Sequence, residues 1–321
     1  VIGRLLRIVL LVEVAGATAF AAWFALGLDL PVPLAAALGV AVPLGLHVVI
    51  LTVNFGLAWG GRGERAAAPP AEHRGAVDDA PARWLLAWAR EIPDSLRTFQ
   101  FAQPLLHRRP FRIAPPIDGG VDRVRPVPVL LLHGYFCNRG LWRTLARRLG
   151  SRGHPLEAID LEPPFGAIDA YTPAIARAVD RLRARTGAPR VALVCHSMGG
   201  LAARAYLRDY GDDAVCGVVT LGTPHVGTRH ADLGHGRNAA QMRRDSDWLK
   251  ALARAEPPAR RTLFTVILSW QDNIVTEQAA QTLPDARTIA FGGLGHMSLA
   301  YDRRVAEAVV AALDAAAARR V

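Results

Sequence analysis

The chain has 321 residues, above the usual size of a single core, so it reads as one large domain with an appendage or as two domains. Hydrophobic residues make up 51% and charged residues 21%, which excludes a largely disordered chain. All but one (Lys250) of the 38 basic residues are arginine, and the 28 acidic residues leave a net charge of +10. Three cysteines, Cys137, Cys195 and Cys216, are too few for a disulfide framework.

Charge is unevenly spread. Residues 1–60 hold only Arg4, Arg7, Glu13 and Asp29. The apolar run from Ile8 to Leu28 is long enough to cross a bilayer, which takes about 20 residues as a helix. A second run from about Pro31 to Trp59, interrupted by Pro33 and Pro43, follows a short turn at Gly27–Leu30. Residues 1–60 therefore read as a transmembrane helical hairpin. Arg4 and Arg7 precede it, Arg62 and Arg65 follow it, and the turn carries only Asp29, so both ends and the downstream domain are expected on the cytoplasmic side. A cleaved secretory signal ending at Ala17-Thr18-Ala19 is the competing reading. Apolar sequence continuing to Trp23, Phe24 and Leu26 opposes it. Folding the hairpin brings Glu13 to the depth of His47, where the two can hydrogen-bond. Alternatively, Glu13 snorkels toward the cytoplasmic headgroups.

Residues 61–123 read as a linker and an amphipathic segment. Gly, Pro, Ala and charge without periodicity fill 60–82. From Trp84 to Phe101, apolar residues at helical spacing (Trp84, Leu85, Trp88, Ile92, Leu96, Phe99) predict a helix broken at Pro93. Its apolar face is expected to pack on the next domain, with a membrane-surface position as the alternative.

From residue 124 to 321, short apolar runs alternate with amphipathic stretches. Strands are predicted over 127–132, 156–161, 191–195, 215–221, 263–268 and 288–291, and helices over 141–149, 172–185, 198–210 and 303–318. This alternation predicts an α/β fold, a mostly parallel sheet with helices on both faces, and places its chemistry at the carboxyl ends of the strands.

Three residues at such ends form a candidate triad. Ser197 lies between an apolar strand and a helix, in His196-Ser197-Met198-Gly199-Gly200, the context of a strained nucleophile elbow. Gly199 supplies the small residue required two after the serine, and Cys195 stands two before it. His296 follows the last strand after a glycine-rich loop and is the expected base. Asp272, just after the 263–268 strand, is its expected partner, preferred over Asp285 in a Leu-Pro-Asp turn. The backbone N–H groups of Tyr135 and Met198 are the candidate oxyanion donors. His133 and Gly134 hold the oxyanion loop, and His225 borders the site in a supporting or substrate-facing role. His230 and His235 read as exposed. No regular metal-ligand spacing appears. The long 228–260 connection, with Met242, Trp248, Leu249 and Leu252, predicts a helical cap over the acyl pocket, with a merely packed surface helix as the alternative.

Over roughly Val124 to Ala318 the sequence resembles bacterial lipases and esterases of the α/β-hydrolase superfamily. The resemblance rests on His133-Gly134, His196–Gly200, Leu221-Gly222-Thr223-Pro224-His225-Val226-Gly227-Thr228, Asp272 and His296. It implies hydrolysis of apolar or lipid-like carboxylic esters through an acyl-enzyme on Ser197, with no organic cofactor. Some related lipases bind calcium, but no matching ligand set is present, so no metal is expected. The hairpin separates the chain from secreted lipases and implies a bacterial inner membrane setting with a cytoplasmic domain. A thioesterase or amidase would use the same triad, and a catalytically silent membrane-anchored scaffold would use the fold alone. The arginines are scattered along helices with no recognised nucleic-acid module, so the charge suits anionic lipid headgroups rather than nucleic acid. Nothing in the sequence bears on oligomeric state.

Overall fold

The computed structural model describes residues 1–60, 72–74, 79–109 and 126–318. Arg62 and Arg65, and most of the stretch read as linker, lie outside the described residues.

The first 60 residues form two antiparallel helices, α1 (Ile2–Gly27) and α2 (Val32–Gly60), joined by a turn with Asp29 at φ 52°. Both are long and apolar enough to cross a membrane. Polar side chains inside them bond to their own helix: Thr18 donates to the Val14 carbonyl and Thr52 to that of Val48, each at 2.8 Å. The helices touch through small residues, since a Cβ on Gly39 would collide with the Ala17 carbonyl and the Ala21 side chain. Large apolar residues such as Leu11, Trp23, Leu46 and Val53 remain exposed along the outer faces.

Helix α3 (Pro81–Leu96) continues through a π-helical turn (Arg97–Ala102) into α4 (Gln103–Leu106). The break expected at Pro93 does not occur. Proline removes one N–H donor, and contacts on both sides hold the helix through that loss. On one side Trp84 meets Phe55 and Trp59 edge-on, with ring centroids 6.3 and 5.4 Å away, and Trp88 Nε1 donates to Thr52. On the other, the Thr98 and Tyr301 hydroxyls bond at 2.7 Å, and Ser298 donates to Asp94 at 2.9 Å. This segment is a wedge between hairpin and domain.

The domain is built on seven strands: β1 (Glu72–Arg74), β2 (Val129–Leu132), β3 (Leu156–Ile159), β4 (Val191–His196), β5 (Val215–Leu221), β6 (Phe264–Ser269) and β7 (Arg287–Phe291). Among the described residues they form one sheet in the order β1-β7-β6-β5-β4-β2-β3, every pairing parallel. The linker expectation fails at β1, which adds an edge strand beside β7. Glu-His-Arg carries no apolar alternation, because main-chain pairing is what a short edge strand supplies. Central strands alternate between two buried faces. Val129, Leu131, Ala192 and Val194 pack with α5 (Arg143–Gly150) and α11 (Arg303–Ala317). Leu130, Leu132, Leu193 and Cys195 pack with α6 (Thr172–Thr186) and α7 (Met198–Tyr210). The 228–260 connection contains α8 (Arg237–Met242) and α9 (Asp247–Arg254), and α10 (Pro258–Arg261) leads from it into β6. A buried bidentate ion pair, Arg204 to Glu256 at 3.1 and 2.9 Å, ties its end to α7.

Candidate active site

The chain turns sharply where β4 meets α7. Ser197 sits at φ 53°, ψ −126°, a left-handed conformation that costs a non-glycine residue of order 1–3 kcal/mol. Its N–H donates to the Leu221 carbonyl and its carbonyl accepts from Thr223, both at 2.8 Å, so neighbouring backbone holds the strain. Gly199 is required here because a Cβ would collide with the Leu132 carbonyl. Cys195 is wholly buried between sheet and helices, and burial pushes its thiol well above the ordinary range. The Ser197 hydroxyl has no hydrogen-bond partner among the described residues, and Ser197 lines a cavity.

The loop after β2 crosses directly over this turn. A Cβ on Gly134 would lie 2.8 Å from that of Ser197. His133 is fixed by two bonds. Nε2 accepts from the Leu161 N–H at 2.9 Å, which leaves the proton on Nδ1 to donate to the Gly134 carbonyl, also at 2.9 Å. Burial keeps this histidine neutral by lowering its pKa. Tyr135 points its hydroxyl away, accepting from the His235 N–H and donating to the His235 carbonyl. The Met198 N–H, first in α7, belongs to the turn of a helix that has no intrahelical acceptor.

Asp272 and His296 come together from the ends of β6 and β7. Asp272 Oδ2 lies 2.8 Å from His296 Nδ1, and its Oδ1 accepts the N–H groups of Ile274 and Val275 at 2.8 Å each. Both residues are buried, and His296 lines the same cavity as Ser197. Burial lowers the His296 pKa, but the charge and hydrogen bond of Asp272 outweigh it and raise the imidazole above 6.5. His196 stands beside it with ring centroids 4.6 Å apart, and its Nε2 lies 3.1 Å from the His296 carbonyl. Burial first, and the adjacent imidazoles next, push His196 down to about 3, so it is a neutral donor.

Glu91 was not picked out from sequence. It is 1% exposed, comes from α3, and accepts the N–H groups of Met297 at 2.8 Å and Ser298 at 3.0 Å. It thus grips the chain directly after His296. Gly295 leaves room for it, since a Cβ there would strike its carboxylate. Burial raises its pKa to about 7, against the opposing pull of the two N–H bonds and of His296. A signal existed: Glu91 falls three residues after Trp88 and seven after Trp84, an acid on the apolar stripe of its helix.

Other expectations need correction. The 228–260 connection is helical but contributes no residue to the cavity; its helices pack against α7 and the 168–171 turn instead. The cavity, about 540 Å³, is roofed by the hairpin (Leu6, Val9, Ile50, Leu51) and by α3 and its extension (Ser95, Phe99). His225 does not face it. Its Nε2 lies 3.2 Å from Thr220, its carbonyl accepts from the buried Arg204, and burial holds it neutral. His230 is not exposed: its ring nitrogens are buried, and Asp272 and Glu277 are close enough to pull against the burial that lowers its pKa. His235 is exposed as expected. Glu13 and His47 line the cavity without bonding to each other. Glu13 accepts from Gln100 Nε2 at 3.1 Å, and His47 Nε2 lies 2.8 Å from the Ser95 hydroxyl. The intervening α3 segment offers each a nearer partner. Among the described residues, no cluster of three or more His, Cys, Asp or Glu side chains is gathered to hold a metal.

A parallel sheet covered on both faces, with a serine at a strained strand–helix elbow and an aspartate–histidine pair later in the chain, defines the α/β-hydrolase class. Residues 127–258 match the family model for the alpha/beta hydrolase fold. Among solved structures it is similar to the mature lipase BlEst2 of Bacillus licheniformis, at 18% identity and a TM-score of 0.53, over 62% of this chain and 96% of that one. It is also similar to lipase B of Aspergillus fumigatus, at 18% identity and a TM-score of 0.52, over 59% of this chain and 52% of that one. At such identity the likeness is one of fold.

Proposed function

We propose that the protein is a membrane-anchored serine hydrolase that cleaves carboxylic esters of lipid-like substrates through an acyl-enzyme on Ser197. The observation that carries this reading is the Asp272-bound His296 reaching the cavity into which the strained Ser197 opens. His296 takes the Ser197 proton as the hydroxyl attacks the ester carbonyl. Asp272 holds Nδ1 protonated and stabilises the imidazolium. The Tyr135 and Met198 N–H groups receive the oxyanion. His296 then protonates the leaving alcohol, and water repeats the cycle to release the acid. Neutral His196 and His133 add no competing charge. The apolar cavity suits an acyl chain, and the two long apolar helices suit an anchor with the domain on the cytoplasmic side.

A fluorophosphonate probe should label the wild type on Ser197. Ser197→Ala should abolish both labelling and hydrolysis of p-nitrophenyl esters while the thermal unfolding profile stays unchanged. Undiminished turnover in the variant would overturn the assignment.

A further inference from the structure

The part of the roof that the hairpin supplies is apolar except at three residues, Glu13, His47 and Asn54. Glu13 accepts once, from Gln100 to Oε1, and its Oε2 has no hydrogen-bond partner among the described residues. His47 Nε2 and the Ser95 hydroxyl share a hydrogen bond at 2.8 Å, and the other ring nitrogen of His47 has no partner among the described residues. Asn54 donates one Nδ2 hydrogen to the Ile50 carbonyl at 2.9 Å, which leaves its Oδ1 and its second N–H facing the cavity side. All three residues line the cavity that also holds Ser197. The helical spacing agrees: Leu6, Val9 and Glu13 share one face of α1, and His47, Ile50 and Asn54 one face of α2. Glu13 lies six residues beyond Arg7, about 9 Å farther along the helix axis. If Arg7 marks the interface, Glu13 sits below the membrane surface, where an ionised carboxylate is expensive and marks function by default.

The acceptor-only Glu13 carboxylate, beside the amphoteric His47 and Asn54, defines what complements the site. We propose that Glu13, His47 and Asn54 form a recognition site, within the hairpin, for a hydroxyl- or amino-bearing, non-anionic group on a bilayer amphiphile whose ester lies at Ser197. A phosphate or carboxylate there would face the Glu13 carboxylate. The hairpin is then a specificity element as well as an anchor. The proposal rests on the serine-hydrolase reading for the position of the ester, but its test does not depend on turnover.

The test uses the full-length Ser197→Ala protein in phosphatidylcholine nanodiscs, with displacement of a fluorescent fatty ester as the readout. Three competitors share one acyl chain: a monoacylglycerol, its methyl ester and a lysophosphatidic acid. The monoacylglycerol should bind about tenfold or more tighter than the other two, as expected for a hydrogen bond to a charged acceptor. Glu13→Leu should abolish this preference while leaving the methyl ester's affinity unchanged. Glu13→Gln, which keeps an oxygen acceptor and the side chain's shape, should retain part of it and serves if the leucine variant fails to fold. Equal affinities in the Ser197→Ala protein, or a preference that survives Glu13→Leu and Glu13→Gln alike, would overturn the proposal. Failure of the serine-hydrolase reading would instead appear as absent fluorophosphonate labelling of the wild type, whatever the binding ratios.

Discussion

Replacing Glu91 with glutamine removes one buried titratable group while preserving the volume beside His296. The wild-type carboxyl has its pKa raised from 4.5 to about 7, burial being the first cause. Below about pH 4.5 it is protonated in both folded and unfolded chains. Between pH 4.5 and 7 the folded protein retains a proton that the unfolded chain has released, so stability falls as the pH climbs through this window. The full loss is about 3 kcal/mol, from roughly 1.4 kcal/mol per pKa unit. Glutamine titrates nowhere in the range. It also accepts with one oxygen where the carboxylate accepts with two, so one of the Met297 and Ser298 N–H groups loses its partner, costing about 1–3 kcal/mol at every pH. The wild type should therefore be the more stable at pH 5, and its advantage should shrink by about 3 kcal/mol by pH 8. At about 2 °C per kcal/mol for a chain of this size, the gap in apparent Tm should narrow by about 6 °C. Thermal unfolding of both proteins in the same nanodiscs, at half-unit steps of pH, reads this directly. Parallel profiles would refute the argument, since they would mean that Glu91 ionises as an ordinary surface carboxylate does.

Asp272→Asn should lower kcat by about 10⁴-fold, because the amide favours the wrong His296 tautomer; a loss under tenfold would remove Asp272 from the mechanism. The kcat/KM for a neutral ester should rise with pH through the raised His296 pKa, above 6.5, as the base loses its proton. The stability linked to His296 runs the other way, being complete below 6.5 and lost as pH rises through the folded value. Glu256→Ala should destabilise the domain by about 3–5 kcal/mol by leaving Arg204 charged and buried, and pairing it with Arg204→Met should recover most of that loss. Denaturant unfolding of the single and double variants decides this, and equal stability of all three would show that the pair is not desolvated.

Strands and helices of the domain were legible because burial of both sheet faces leaves unbroken apolar runs. Val191–His196 and Val215–Leu221 carry that signal without ambiguity. The placement of Ser197, Asp272 and His296 just beyond strand ends was legible because each follows such a run at a turn. What escaped depended on contacts between distant segments. Nothing local to 72–74 indicates that it pairs with β7, and Glu91 finds its partners more than 200 residues away. The cap was misplaced for the same reason. Length marks the 228–260 connection as an insertion, but packing decides that its helices lie beside α7 while the hairpin covers the cavity.

That cavity has a consequence for how the enzyme's rate should be expressed. On the proposed reading the substrate is never a free solute: it slides sideways from one leaflet into a chamber roofed by helices embedded in that leaflet. Velocity should then follow the mole fraction of substrate among membrane lipids and be indifferent to its bulk concentration. Adding inert lipid should slow the reaction by surface dilution even when the amounts of enzyme and substrate are fixed. On the same reading, leaflet thickness and lateral pressure acting on α1 and α2 would join the proposed triad as determinants of turnover.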